Sequence, residues 1–240
     1  EFRRVLFRSV YLEQIGDNNT ITVQQVGGTN SVGGTGGNSS VSGTNVTTLT
    51  PDAPSTNNYA TVSGSNNSVT LNQTGSNNSA QYSITGSNNS YSSTISGNNN
   101  QTKLTVGGAN AAVNNNSITE TVTGNTNMAI TTVSAGNVTS ALSITGSTNQ
   151  VTLDLSTTGG SANTSITGSN NIVISEQSGA GGGNAHALVN TISGDYNSIV
   201  TQQQGTNDTT VNLNTDGSHN TITVRTSSGS ITGAKTAVAR

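Results

Sequence analysis

Residues 64–107 read GSNNSVTLNQT (64–74), GSNNSAQYSIT (75–85), GSNNSYSSTIS (86–96) and GNNNQTKLTVG (97–107). They are four copies of one eleven-residue unit, with Gly64, Gly75, Gly86 and Gly97 at constant spacing and Asn67, Asn78, Asn89 and Asn100 three places after them. A fixed short period is the mark of a repeat architecture and takes precedence over any single-residue signal. Within each unit the positions three, five, seven and nine after the glycine alternate with polar ones, which is the period of a strand with two unlike faces. One face carries Asn67, Val69, Leu71 and Gln73, then Asn78, Ala80, Tyr82 and Ile84. The other carries Ser68, Thr70 and Asn72, then Ser79, Gln81 and Ser83. Gly and Asn-Asn between strands supply the positive-φ positions of a tight turn.

The period extends outward from this block. Gly-x-x-Asn recurs at Gly16/Asn19, Gly27/Asn30, Gly124/Asn127, Gly146/Asn149, Gly160/Asn163, Gly168/Asn171, Gly194/Asn197 and Gly217/Asn220. Gly124 to Gly146 and Gly146 to Gly168 are 22 residues each, twice the basic unit. One strand and one turn per eleven residues, with 22 as the higher period, predicts an all-β chain folded as a β-solenoid with two strands per coil and cross-β stacking. About three aliphatic side chains per unit are too few to offset the ordering of eleven residues, so no unit folds alone. Stacking is the remedy, because each backbone then pairs with the coils above and below and Asn or Gln side chains form ladders. A helix is excluded by the density of Gly, Asn, Ser and Thr. About ten coils at ~4.8 Å would make a rod ~50 Å long.

Other segments break the rhythm. Residues 1–9 (EFRRVLFRS) hold three of the seven basic residues and both Phe, and read as a sequence-assembly or leader remnant outside the repeat domain of 10–226. Residues 28–63, with the only prolines (Pro51 and Pro54), read as an irregular excursion, since Pro cannot donate to a ladder. Five extra residues stand around AAVNNN (111–116), a second irregular stretch spans 179–193, and 227–240 loses the motif and reads as a cap or tail.

Composition sets limits on chemistry. With no Cys there is no disulfide framework, thiolate metal site or Cys nucleophile. Lys103 is the only basic side chain between Val10 and Val224, so the chain lacks the basic stripe that neutralises phosphates, and a nucleic-acid partner is not expected. No run of 18 apolar residues predicts membrane insertion as a helix. His186 and His219 stand 33 apart and read as solvated turn residues; the ten carboxylates are scattered and no acid pair keeps a catalytic spacing. Asp17 and Asp195 follow a turn glycine, where Asp is a routine turn former. P-loop, dinucleotide and Ca²⁺ nonapeptide motifs are absent, so neither enzyme activity nor a cofactor is expected.

The segment Gln14-x-Gly16-x-x-Asn19-x-Ile21-x-x-x-Gln25-x-Gly27-x-x-Asn30 resembles the curlin repeat of curli, the extracellular amyloid fibres of bacteria. There the motif runs Gln-x-Gly-x-x-Asn-x-Ala with a further Gln four residues on. The half-motif recurs at Gln73-x-Gly75-x-x-Asn78-x-Ala80, and in part at Gln203-x-Gly205 with Asp208 in place of Asn. The resemblance implies a self-assembling structural subunit of an extracellular cell-surface fibre, active in biofilm matrix and adhesion. Its partner would be itself, stacked end to end, with a nucleator and an outer-membrane secretion pore. Ser or Thr often replaces the family's Gln, and the proline-bearing excursion is foreign to it. The poverty of charge in the repeats leaves the strand edges without their usual protection against end-to-end pairing. A second reading is an adhesin or phage-fibre shaft whose ligand site lies on 28–63 or 179–193 and which does not polymerise. An ice-binding solenoid ranks below both, because the outward residues Ser68/Thr70, Ser79/Gln81 and Ser90/Ser92 do not form Thr-x-Thr ranks.

Overall fold

The computed structural model describes residues 9–10, 12–33, 45–46, 60–107, 112–179, 185–228 and 236–237. All regular structure among them is strand. In chain order the elements are β1 (Ser9–Val10), β2 (Leu12–Ile15), β3 (Thr20–Val26), β4 (Ser31–Val32), β5 (Asn45–Val46), β6 (Ala60–Ser63), β7 (Ser68–Ser76), β8 (Ser79–Thr85), β9 (Ser90–Asn98), β10 (Gln101–Val106) and β11 (Ser117–Asn125). They continue with β12 (Met128–Val133), β13 (Thr139–Ser147), β14 (Gln150–Leu155), β15 (Ser161–Thr167), β16 (Ile172–Ser178), β17 (Ala187–Ser193), β18 (Ser198–Gln204), β19 (Thr210–Asp216), β20 (Thr221–Ser227) and β21 (Thr236–Ala237).

Successive strands go to opposite sides of a β-solenoid. β3 and the odd-numbered strands β7 to β19 form an eight-stranded parallel sheet, the odd sheet. The even-numbered strands form the even sheet, in which β1 with β2, and β4 with β6, each make one interrupted rung beside β8. Among the described residues the even sheet therefore has nine rungs and the odd sheet eight, a length of roughly 40 Å at ~4.8 Å per rung.

Registers locate the interruptions. Thr22 pairs with Thr70, an offset of 48 where the regular coil, as in Thr70 with Ser92, has 22. The difference, 26, is the number of residues from 34 to 59. The excursion is thus narrower than 28–63: residues 28–33 and 60–63 belong to coils, and of the excursion itself only β5 lies within the described residues. The offset of 27 between β9 and β11 contains the five extra residues expected near 111–116. The offset of 26 between β15 and β17 adds four, but β17 is a regular strand, so the stretch 179–193 is irregular only before it. The leader 1–8 lies outside the described residues, as does most of 227–240.

The alternating face proves to be the interior. Val69, Leu71, Ala80, Tyr82, Ile84, Ile95, Leu104, Ile144 and Leu153 are buried between the sheets in one continuous core. Ser68 and Thr74 on the opposite face of β7 are exposed. Where the alternation fails, a second apolar cluster appears on the outer side of the even sheet: Ile130, Ile172, Ile174 and Val200, with Met128 packed against them. β21 pairs with β5 and this two-stranded ribbon lies against β16 and β18. Thr236–Ala237 therefore lies on the flank of the even sheet.

Candidate functional site: asparagine corners and open ends

The chain turns between sheets at two stacks of corners. In each regular corner Gly has positive φ, as does the residue two places on: Gly64 at 119° with Asn66 at 57°, Gly75 at 112° with Asn77 at 58°. Only Gly suits the first place for a second reason. A Cβ on Gly75 would collide with the carbonyl of Gly97, and one on Gly146 with that of Gly168, because consecutive coils pass in backbone contact there.

The Asn three places after Gly points inward and is buried. At the odd-to-even corner, Asn30, Asn78, Asn100, Asn127, Asn149, Asn171, Asn197 and Asn220 form an unbroken ladder. Each backbone N–H donates to the Oδ1 of the Asn before it, at 2.9–3.0 Å. Nδ2 donates to the same Oδ1, as in Asn149 to Asn127 at 3.1 Å, and also to the next coil's glycine carbonyl, as in Asn149 to Gly168 at 2.8 Å. Gly27, Gly75, Gly97, Gly124, Gly146, Gly168, Gly194 and Gly217 all belong to this corner. The 22-residue steps from Gly124 to Gly146 and on to Gly168 lack the motif halfway because the intervening corner, at Ala135 and Thr157, has lost it.

That other, even-to-odd corner begins alike, with Gly16/Asn19, Gly64/Asn67 and Gly86/Asn89. It reaches Asn116 and stops, where Asn116 Oδ1 accepts the N–H of Val138 at 2.8 Å. The following rungs are Gly160, His186 and Thr209, each of whose carbonyls accepts from the strand one coil below. Two expectations change here. Gly160/Asn163 is not a corner pair: Gly160 takes the ladder place, and Asn163 is an exposed residue of β15, because the coil keeps its regular 22-residue offset and so brings Thr157, not Gly160, to the glycine place. Likewise Thr209, not Asp208, follows Gly205, since this coil is one residue longer at an offset of 23.

The inward glutamines close the core beside the corners. Gln25 Nε2 donates to Gln73 Oε1 at 2.8 Å, and Gln203 accepts from Gln177 at 3.0 Å while donating to the Ala187 and Thr209 carbonyls. Gln14, on the terminal rung, is exposed. Gln177 escaped the sequence reading, although Gln177-x-Gly179 repeats the same half-motif. The outer cluster escaped too, and its signal was two apolar residues in a row, as in Ile172-Val173-Ile174.

The titratable groups are dispersed. His219 sits in a turn, exposed, and stacks on Tyr196 with ring centres 5.1 Å apart. His186, contrary to expectation, is fully buried: Thr209 Oγ1 lies 2.9 Å from Nδ1, and Ser178 O 3.3 Å from Nε2. It is the corner rung at which the chain rejoins the solenoid, hence its burial. Glu120 is buried inside the core, where Tyr91 Oη donates to it at 2.8 Å and Thr131 Oγ1 at 2.7 Å. Burial pushes its carboxyl above the ordinary 4.5, against the two hydrogen bonds that favour the charged form. Burial also raises the Tyr91 phenol, with the nearby Glu120 charge adding to it. Among the described residues no group of three His, Asp or Glu stands together as a metal site, and no helix is long and apolar enough to cross a membrane.

Among the described residues, inward side chains near both ends of the solenoid are less covered than those in the middle. Ile21 and Val23 on β3, Leu213 on β19, and Ile222 and Val224 on β20 all point inward and are only half-buried. Comparison of the chain with family models, curated protein sequences and solved structures returns no match.

Proposed function

We propose that the chain is a self-assembling structural subunit of an extracellular, curli-like amyloid fibre, which grows by end-to-end stacking of identical copies. The observation that carries this reading is the pair of open ends on a parallel, in-register solenoid. Inward apolar side chains are half-exposed there, and among the described residues β3 and β19 close the order of one sheet and β20 one end of the other. Such edges template further strands unless charge, proline or a covering element blocks them. Cell-surface location, biofilm and adhesion roles, a nucleator and a secretion pore follow from the resemblance of the Gln-x-Gly-x-x-Asn units to curlin repeats.

The test is to purify the chain unfolded, remove denaturant, and combine negative-stain microscopy with fibre diffraction. Unbranched fibrils with a meridional reflection near ~4.8 Å are expected. A rod that stays monomeric at high concentration overturns the proposal.

A further inference from the structure

Along the outside of the odd-to-even corner one residue per coil projects from the turn, two places after the glycine. In chain order Thr126, Thr148, Asn170, Tyr196 and His219 hold this place, all at positive φ. Backbone hydrogen bonds stack them coil on coil, as from Tyr196 N–H to Ser169 O and from His219 N–H to Asp195 O, both at 3.0 Å. Asn is the commonest positive-φ residue of the solenoid other than Gly, since its short polar side chain suits the left-handed region. A tyrosine ring does not, yet Tyr196 holds φ 57° there. Strain kept by a bulky residue points to a use for its side chain.

His219 stacks on one face of the Tyr196 ring, with centres 5.1 Å apart and planes 13° from parallel. The ring is thus braced from behind while Tyr196 stays 40 % exposed. On the side away from His219, towards Asn170 and Thr148 of the two preceding coils, lies a groove of about 30 Å³. Its lining is Tyr196, Asn170, Thr148, Gln150 and Ile172, with Ile172 buried and Thr148 exposed. Gln150 Oε1 is shielded from solvent and has no hydrogen-bond partner among the described residues. A buried acceptor without a donor is costly to the protein alone, and a ligand hydroxyl would satisfy it.

We propose that this groove binds one unit of a neutral glycan, with the Tyr196 ring as its stacking platform. The chemistry of the lining selects that class. The ring face and Ile172 match the C–H side of a pyranose, whose hydrogens carry the positive charge that the face of an aromatic ring attracts. The Asn170 and Gln150 amides and the Thr148 hydroxyl can both donate and accept, as sugar hydroxyls require. None of the five lining residues is charged, so a phosphate, a uronate or an ammonium group would lose its hydration there without gaining a partner. The groove has room for about two waters. The sugar therefore enters by an edge, its hydroxyls replacing those waters, while its ring leans on Tyr196. The site lies within a single copy, so it stands or falls independently of the fibre reading.

The test titrates the full chain with cellohexaose, maltohexaose and chitohexaose, and with the anionic hexagalacturonate, by saturation-transfer NMR. At least one neutral hexaose is expected to bind saturably, with a Kd on the order of 1 mM or tighter, and hexagalacturonate is expected not to bind. Tyr196→Asn installs the commoner turn residue, relieving the strain and removing the platform. It should weaken binding about tenfold or more, while the denaturant midpoint stays unchanged or rises. Tyr196→Phe keeps the ring and should bind within about threefold of the wild type. Absence of binding by every neutral hexaose overturns the proposal, as does wild-type affinity in Tyr196→Asn. Equal binding of hexagalacturonate overturns the neutral class. A lowered midpoint in Tyr196→Asn with binding intact would assign the ring to the stability of the turn instead.

Discussion

The two corner stacks start from the same unit and end differently. The odd-to-even corner keeps Gly and Asn through eight rungs and contains no insertion; the even-to-odd corner loses its Asn after Asn116 and hosts the extra residues near 108–112 and 180–184. The difference shows what holds such a coil. One uninterrupted seam, in which every buried amide hydrogen-bonds to the rungs on either side, fixes the register of both sheets, since each coil must return to it. The opposite corner is then free to vary in length and chemistry, as surface connections usually are.

The sharpest break in this contrast is Gly146→Ala. At φ 130° on the strict seam, an added Cβ meets the Gly168 carbonyl. The expected loss is on the order of 3 kcal/mol or more, read as the midpoint of denaturant unfolding. Ala135, which occupies the glycine place of the lax corner, should accept Ala135→Gly with a loss of about 1 kcal/mol. Equal losses would remove the distinction between the corners.

Next comes the asparagine itself. Asn149→Ala deletes four hydrogen bonds and strands buried groups on both neighbouring coils; Asn116→Ala deletes two. Since a buried unsatisfied group costs about 1–3 kcal/mol, the first should exceed the second by roughly 1–2 kcal/mol in chemical unfolding. Asp at 78 or 89 should slow assembly as well as folding, because a carboxylate cannot donate to the Gly97 or Val113 carbonyl as Asn78 and Asn89 do.

Period, strand faces and positive-φ turns were legible because each rests on local spacing, and one face of a strand must alternate if it alone is buried. Asn67, Asn78 and Asn89 were placed correctly on that basis. What spacing does not carry is which corner a unit belongs to. Gly160/Asn163 satisfies the motif while lying out of frame, and only the pairing of β13 with β15 reveals it. His186 was misread as solvated because an insertion rejoins the solenoid there, a matter of tertiary register. The outer cluster at Ile130, Ile172 and Ile174 was written in the sequence as broken alternation, but its members come together only through the stacking of β12, β16 and β18.

A smaller effect concerns Glu120, on the strand that follows the last asparagine of the lax corner. Its folded-state pKa is raised above 4.5, so the neutral form is favoured on folding, and the stability it contributes is present at low pH and declines as pH climbs above 4.5 through the folded value. Glu120→Gln keeps an amide beside Tyr91 and Thr131 without a charge to bury. Thermal unfolding from pH 4 to 8 should show the wild type losing on the order of 1 kcal/mol relative to the variant with rising pH. Parallel curves would mean that Glu120 is charged and satisfied where it stands.

The smallest effect is expected where the comparison is most exposed to failure. Deleting residues 181–184 restores a 22-residue offset between β15 and β17. If the lax corner only connects, shortening it changes loop-closure entropy by less than about 1 kcal/mol, with no shift in the pairing of Ile166 with Ile192. Hydrogen exchange on β15 and β17 would report that pairing directly. Protection lost there, with β13 unaffected, would show that the inserted residues help to set the register. The strict seam at Asn171 and Asn197 would then no longer suffice to align the coils on its own.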